Sequence, residues 1–144
     1  MKNKIAIISS DVIDSKMAGV GIRYWEIANS LSLKFEVVLI CPNGSKLTSE
    51  KFRIIEFEYK NQNIKEFIDD ASVIVISGFT LHFHPYLKDI DVPLAVDLYV
   101  PFMLESLIWH KNDDLRKWIP DFEEFLRVQN ELLRAGDYFF CANE

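Results

Sequence analysis

The sequence predicts an α/β protein built on an open, doubly wound parallel sheet flanked by helices. Three observations carry this. Short runs of β-branched and apolar residues recur along the chain without polar alternation, as in parallel strands covered on both faces. Segments with helical periodicity stand between them. Strand and helix therefore alternate, the pattern of successive βαβ units.

Taken in order, Lys4–Ser9 (KIAIIS) reads as the first strand. Tyr24, Ile27, Ala28 and Leu31 fill the i, i+3, i+4, i+7 template of an amphipathic helix. Phe35–Cys41 (FEVVLIC) is the second strand, and Phe52–Tyr59 (FRIIEFEY), which alternates more, reads as a strand nearer an edge. Ile64, Phe67, Ile68 and Ala71 repeat the helical template, followed by strands over Ser72–Ser77 (SVIVIS) and Pro93–Leu98 (PLAVDL). Phe102–Trp109 and Asp121–Arg134 read as two helices, with Pro120 placed for the first turn of the second. Gly136 suits a helix C-cap, and Tyr138–Ala142 (YFFCA) a last strand.

At 144 residues the chain fits one domain able to bury a core unaided, and 49% hydrophobic with 13% aromatic residues excludes a disordered class. A net charge of -6 with no basic stripe argues against nucleic acid as a partner. Cys41 and Cys141 each end an apolar run without C-x-x-C spacing, which predicts buried free thiols in a reducing compartment. The apolar run after MKNK is too short for a signal sequence or a membrane span, so the chain reads as cytoplasmic. No repeat or linker divides residues 1–144, which read as a single domain.

The loop before the first helix holds two of the five glycines, Gly19 and Gly21. Glycines there permit positive φ and close approach of an anion to backbone N–H groups at the helix N-terminus. The dinucleotide fingerprint G-x-G-x-x-G fails, because Tyr24 stands where the third glycine would allow helix and sheet to approach. No acidic residue ends FEVVLIC, which counts further against a nicotinamide-dependent oxidoreductase, and the missing G-K-[ST] excludes a Walker A loop.

Further candidates follow from position and chemistry. Arg23 lies in the first helical turn, where a cation opposes the dipole, so it suits an anionic ligand, a solvated position or an ion pair with Glu26 or Asp11. Asp11 and Asp14 flank the loop and suit either sugar hydroxyls or ordinary turn capping. Asp97 and Tyr99 close the carboxyl end of a strand, where ligand contacts concentrate in open sheets, and a buried Asp97 needs a backbone to cap or a ligand to face. Gly78, just past Ser77, lets the chain turn into a rim holding His82 and His84. Two histidines are too few for a structural metal, so no metal site is expected. Trp109, His110, Trp118 and Phe122 suit core or interdomain packing or a peripheral membrane contact, and the mixed charge of KNDDLRK favours packing.

These segments together resemble the start of a GT-B glycosyltransferase of the large retaining, GT4-like group. Ala18–Arg23 (AGVGIR) is similar to the family's G-[GV]-[GA]-x-[RH] loop, Glu26–Leu31 (EIANSL) to its E-[LI]-A-x-x-L helix, and Phe35–Leu39 to its H-E-V-x-[LV] strand. Val96–Phe102 (VDLYVPF) is similar to a D-L-Y-x-P-F segment, and residues 135–144 to the A-G-D-x-[FI]-x-[CV]-[AS]-[SN]-E ending of the N-terminal domain. The resemblance implies one half of two Rossmann-like domains facing a cleft, the half that mainly recognises the acceptor. The nucleotide-sugar donor, with the E-x(7)-E-like segment, would belong to a C-terminal domain absent from this chain, so the chain alone should not catalyse transfer. It further implies a carbohydrate, lipid-linked or small-molecule acceptor, no bound metal and no cofactor, with Asp97 and Tyr99 near the transferred sugar where many members carry a histidine. An exposed cleft in an isolated half would favour self-association. The alternative from the residues themselves is a non-catalytic, flavodoxin-like module for a phosphate ligand or a protein partner.

Overall fold

Lys4–Ile8 (β1) is apolar from Ile5 onward and wholly buried over Ala6–Ile8, which requires cover on both faces of the strand. A computed structural model describes residues 3–61, 63–99, 106–108, 110 and 114–141 and shows what provides that cover. After β1 come Gly19–Leu31 (α1), Glu36–Pro42 (β2), Arg53–Phe57 (β3), Lys65–Ile68 (α2), Val73–Ser77 (β4), Thr80–Phe83 (α3), a 3-10 turn at Pro85–Asp89, Leu94–Asp97 (β5), Leu115–Ala135 (α4) and Tyr138–Phe140 (β6). The six strands form one sheet in the order β3-β2-β1-β4-β5-β6, every pairing parallel. This is the Rossmann strand order, and it reverses direction between β1 and β4. The expected doubly wound sheet is therefore present, with β3 at an edge, whereas flavodoxin-like topology would place the third strand beside the first.

The side-chain period of two sorts each strand into two cores. Ala6, Ile8, Val38, Ile40, Ile74, Ile76 and Val96 pack with Ile64 just before α2, Ile68 of α2, Leu81 of α3 and Leu132 of α4. Ile5, Ile7, Val37, Leu39, Cys41 and Val75 face the other way, against Tyr24 and Ala28 of α1. Ser77 and Asp97 fall in phase with the second set, so their side chains leave the carboxyl ends of β4 and β5 on the α1 face.

Several expectations change on contact with the structure. The second helical template yields only four residues of α2, ended at Asp69. Pro120 lies inside α4, which begins five residues earlier behind Asp114, whose carboxylate accepts the Arg116 N–H at 3.0 Å. The cap starts the helix upstream of the proline, which then stands inside it, where it removes one donor and crowds the carbonyl of Arg116. Gly136 caps α4 as expected but has φ of -74°, so the left-handed argument does not apply. Its reason is space: a Cβ there would lie 2.6 Å from Val96 Cγ2 and 2.8 Å from Phe139. Cys41 is buried, its burial pushing the thiol pKa up, but Cys141 is exposed because β6 ends at Phe140 on the sheet edge. The predicted helix over Phe102–Trp109 and the end of the last strand fall largely outside the described residues. No helix among those described is long and apolar enough to cross a membrane.

Placing Gly136 against β5 and β6 makes it a test of this packing. Gly136→Ala should lower unfolding stability by about 1–3 kcal/mol, the ordinary cost of overpacking, read as a shift of the urea midpoint. An unchanged midpoint would mean that α4 does not approach the sheet as closely as described.

Candidate functional site

The chain reversal between β1 and β4 leaves a crevice beyond their carboxyl ends, the position at which open α/β sheets hold ligands. A cavity of about 470 Å³ opens there. Ser10 follows β1, Tyr59 and Lys60 follow β3, Ser77, Gly78 and Phe79 end β4, and Asp97, Leu98 and Tyr99 end β5. Val20 of α1, Phe83 of α3, and Gln129 and Leu132 of α4 complete the wall. A second, more open groove of about 750 Å³ runs along α1, past Gly19, Ile22, Arg23, Ile27 and Phe140. Tyr99 lines both hollows and stands between them.

The first turn of α1 explains its glycines. The helix begins at Gly19 itself, so Gly19 and Gly21 lie within it rather than in a preceding loop, and neither has positive φ. Ala18 caps the helix without a side-chain acceptor. A Cβ on Gly19 would sit 3.1 Å from Tyr99 Oη, and one on Gly21 3.0 Å from Met17 Cβ and 3.2 Å from the Val12 carbonyl. Both glycines thus serve close approach, one of them to Tyr99. Gly78 is the residue of the site that uses positive φ, at +52°, turning the chain out of β4 toward α3.

Arg23 and Asp97 meet across the α1 face. Arg23 Nε donates to Asp97 Oδ2 at 2.7 Å and Nη2 to Oδ1 at 3.1 Å, a two-point pair with the carboxylate fully buried. The guanidinium also lies 4.9 Å from the Tyr99 ring centre and 5.7 Å from that of Phe140. Asp97 raises the Arg23 pKa further by hydrogen bonding. Arg23 therefore pairs with neither Glu26 nor Asp11, and the buried Asp97 is satisfied by a side chain 74 residues away in sequence.

Tyr24, one position on, is wholly buried beneath the cavity wall. Its hydroxyl makes no hydrogen bond of ordinary geometry among the described residues. Burial pushes its pKa up, the neighbouring Ser77 side chain opposes that shift, and the Asp97 carboxylate adds to it. Both of those neighbours line the cavity.

The remaining candidates lie elsewhere. The Asp11 N–H is held by Ser9 Oγ at 3.1 Å, Asp14 accepts the Ser15 N–H at 2.6 Å, and neither aspartate lines the cavity. That N–H and nearby Lys46 hold the Asp14 carboxyl below its usual range. His82 and His84 do not share a side, because α3 is a helical turn and not an extended segment. His82 is exposed, with Nδ1 3.1 Å from Arg127 Nη2. His84 is buried against Phe57, Tyr59 and Tyr86. His110 stacks on Trp118, which meets Phe122 edge-on, while Trp109 is not among the described residues. No group of three or more metal-ligating side chains occurs among the described residues.

The aromatic wall of Tyr59, Phe79 and Phe83 was not singled out from sequence. Its signal is positional, since Tyr59 and Phe79 directly follow strands, but Phe83, Gln129 and Leu132 come from helices that only the tertiary fold brings over the crevice.

Fold and crevice together define an α/β architecture of Rossmann topology with a cavity at its switch point. No protein-family model matches the chain, and no curated protein does. Among solved structures it is similar to the C-terminal domain of the coenzyme A biosynthesis bifunctional protein CoaBC, at 11% identity and TM-score 0.48, over 75% of this chain and 69% of that one. It is also similar to the glycosyltransferase SnogD from Streptomyces nogalater, at 16% identity and TM-score 0.46, over 94% of this chain and 40% of that one. A PPC decarboxylase complexed with pantothenoylaminoethenethiol gives 15% identity and TM-score 0.46, over 99% of this chain and 82% of that one. At such identities the likeness concerns backbone architecture and carries no chemistry across.

Two predictions follow from the buried charges. Arg23→Ala should lose about 3–5 kcal/mol in urea unfolding, because it strands the Asp97 carboxylate, whereas Arg23→Met with Asp97→Leu should recover most of the loss. Equal losses for the single and double variants would mean that the ion pair is not what burial makes costly. His84 is held neutral, burial placing its folded pKa below the ordinary 6.5. The unfolded chain then binds the extra proton, so this contribution to stability is complete above pH about 6.5 and declines as pH falls toward the depressed folded value. Between about pH 6.5 and 5, above the carboxylate range, His84→Phe should flatten the pH dependence of the urea midpoint, and an unaltered slope would contradict the assignment.

Proposed function

We propose that this chain is the acceptor-side, N-terminal domain of a nucleotide-sugar-dependent retaining glycosyltransferase. The observation that carries the reading is the convergence of the glycine-bearing turn of α1 with Tyr99 and Asp97 at the switch-point cavity. These are the segments, AGVGIR and DLY, on which the resemblance to GT4-like enzymes rests. In this reading the domain binds the acceptor beside β4 and β5 and presents its hydroxyl to a donor held by a second domain. Positioning of that kind converts a bimolecular reaction into an effectively unimolecular one.

Each candidate then has a role. Gly19 lets Tyr99 approach α1, and Gly78 opens the cavity wall. Arg23 is committed to Asp97, so it fixes the cleft and leaves donor phosphates to backbone N–H groups of the first helical turn and to the second domain. Asp97, with both oxygens held by Arg23, acts as a positioning residue for Leu98 and Tyr99.

The product formed with the glycosylated acceptor is a nucleoside diphosphate, so its release tests the reading. The protein expressed from its complete coding sequence should release it from one member of a panel of nucleotide sugars, faster when acceptor is present. Gly19→Val should slow that release at least about tenfold by displacing Tyr99. The 144-residue chain alone should release none and bind nucleotide weakly. Tight binding of a phosphate ligand by this chain alone would instead favour a stand-alone binding module.

A further inference from the structure

The two faces of the sheet are covered unequally, and the winding of the chain is the reason. The step from β1 to β2 runs toward the β3 edge and lays α1 on one face. The steps from β3 to β4, β4 to β5 and β5 to β6 run the other way and lay α2, α3 and α4 on the opposite face. A further right-handed step outward from β6 would return to that second face again. Among the described residues the α1 face is therefore left without a helix over β5 and β6, although an all-parallel sheet is ordinarily covered on both sides. The groove along α1 is this uncovered strip, with Ile22, Ile27 and Leu31 on the helix side, Val75 on the sheet and Phe140 across it. Ile22 is 51% exposed there, and Glu26, also exposed on the groove wall, makes no ion pair among the described residues.

The complement is carried by α4. Val128 and Leu132 are buried on one side of it, and Phe125 meets the Phe79 ring edge-on. Ile119, Leu126 and Leu133 stand seven residues apart, two turns at a time, and so share a different side, where they are 44%, 40% and 46% exposed. At about 100° per residue this stripe lies about 100° or more round the helix from Val128 and Leu132. A surface helix needs one apolar side to hold it to its sheet, and α4 has a second to spare. Arg116 and Arg134 flank the spare stripe and make no ion pair among the described residues, with Glu123 between them in sequence. Arg127 is committed to Glu124 and Glu131.

We propose that the groove is filled by α4 of a second copy of this chain, with Leu126 and Leu133 seated between α1 and Phe140 and Arg134 brought to Glu26. One molecule thus holds both halves of the contact: a strip that lacks a helix and a helix with a surplus apolar side, bearing opposite uncommitted charges. Groove and helix lie on opposite faces of the sheet, so the contact is heterologous and repeats head to tail. A helix seated there also closes Tyr99 on the side away from the switch-point cavity, because Tyr99 lines both hollows. None of this depends on glycosyl transfer.

Sedimentation velocity over a concentration series should show the chain growing past a dimer. Ile22→Lys spoils the groove and Leu126→Lys the stripe, and because both positions are exposed each variant should keep the parental urea midpoint. Alone, each should associate at least about tenfold more weakly than the parent. Mixed in equal amounts they should form a one-to-one heterodimer and stop, since one sound groove then meets one sound helix. Arg134→Glu should weaken association, and Glu26→Arg added to it should recover most of the loss. A monomeric parent at every concentration, association that either lysine variant leaves intact, or a mixture that stays monomeric would each overturn the contact. A closed dimer that never grows would place the interface elsewhere and overturn it as well. In the protein expressed from its complete coding sequence, a monomer whose Ile22 methyls are shielded from solvent would give the groove to another segment of the same chain and overturn the second copy as its occupant.

Discussion

The cleft depends on the two-point pair between Arg23 and Asp97. It ties the first turns of α1 to the carboxyl end of β5, two elements that share no strand pairing, and it brings Tyr99 and Phe140 under the same guanidinium. A buried pair of this kind contributes little net stability, because desolvating both ions consumes most of the attraction. What it contributes is geometry. With the carboxylate fully buried and the guanidinium largely so, α1 cannot slide along the sheet without stranding a charge. Gly19 is the complement, since the same placement brings its α carbon against the Tyr99 hydroxyl.

That commitment also sets the electrostatics of the site. An arginine beside a helix N-terminus reads from sequence as an anion ligand, and in the fold it is an internal counterion. The positive end of the α1 dipole remains, with Ala18 offering it no side-chain acceptor. In the cavity Asp97 is paired by Arg23, and the other polar side chains of its wall are the hydroxyls of Ser10, Tyr59, Ser77 and Tyr99, the Gln129 amide and Lys60.

Much of the sheet was legible because its strands are buried on both faces, and burial of that kind leaves unbroken runs such as IAII and VVLIC that no helix template explains. The order of the strands was legible only as a class, since periodicity does not say which neighbours pair. Local signals failed where a competing local interaction won. Asp114 started α4 ahead of Pro120, and a helical turn at Thr80–Phe83 left His82 exposed and His84 buried. The partners of Asp97 and Gly136 were beyond any local reading, because each is met by residues that only sheet assembly brings near. The aromatic wall was hidden for the same reason: the loops after β3, β4 and β5 and the helix α3 contribute its rings.

Tyr24 joins these threads. In a dinucleotide-binding loop the corresponding position is a glycine, which lets the helix settle close to the sheet and the pyrophosphate close to the helix. Here that position carries one of the largest buried side chains in the domain, and its ring is part of the core on the α1 face. The ring occupies the space that close helix packing would need, so the loop cannot serve a dinucleotide in that manner. One substitution relative to the fingerprint thus removes one kind of ligand and exchanges a close helix–sheet contact for a large buried ring.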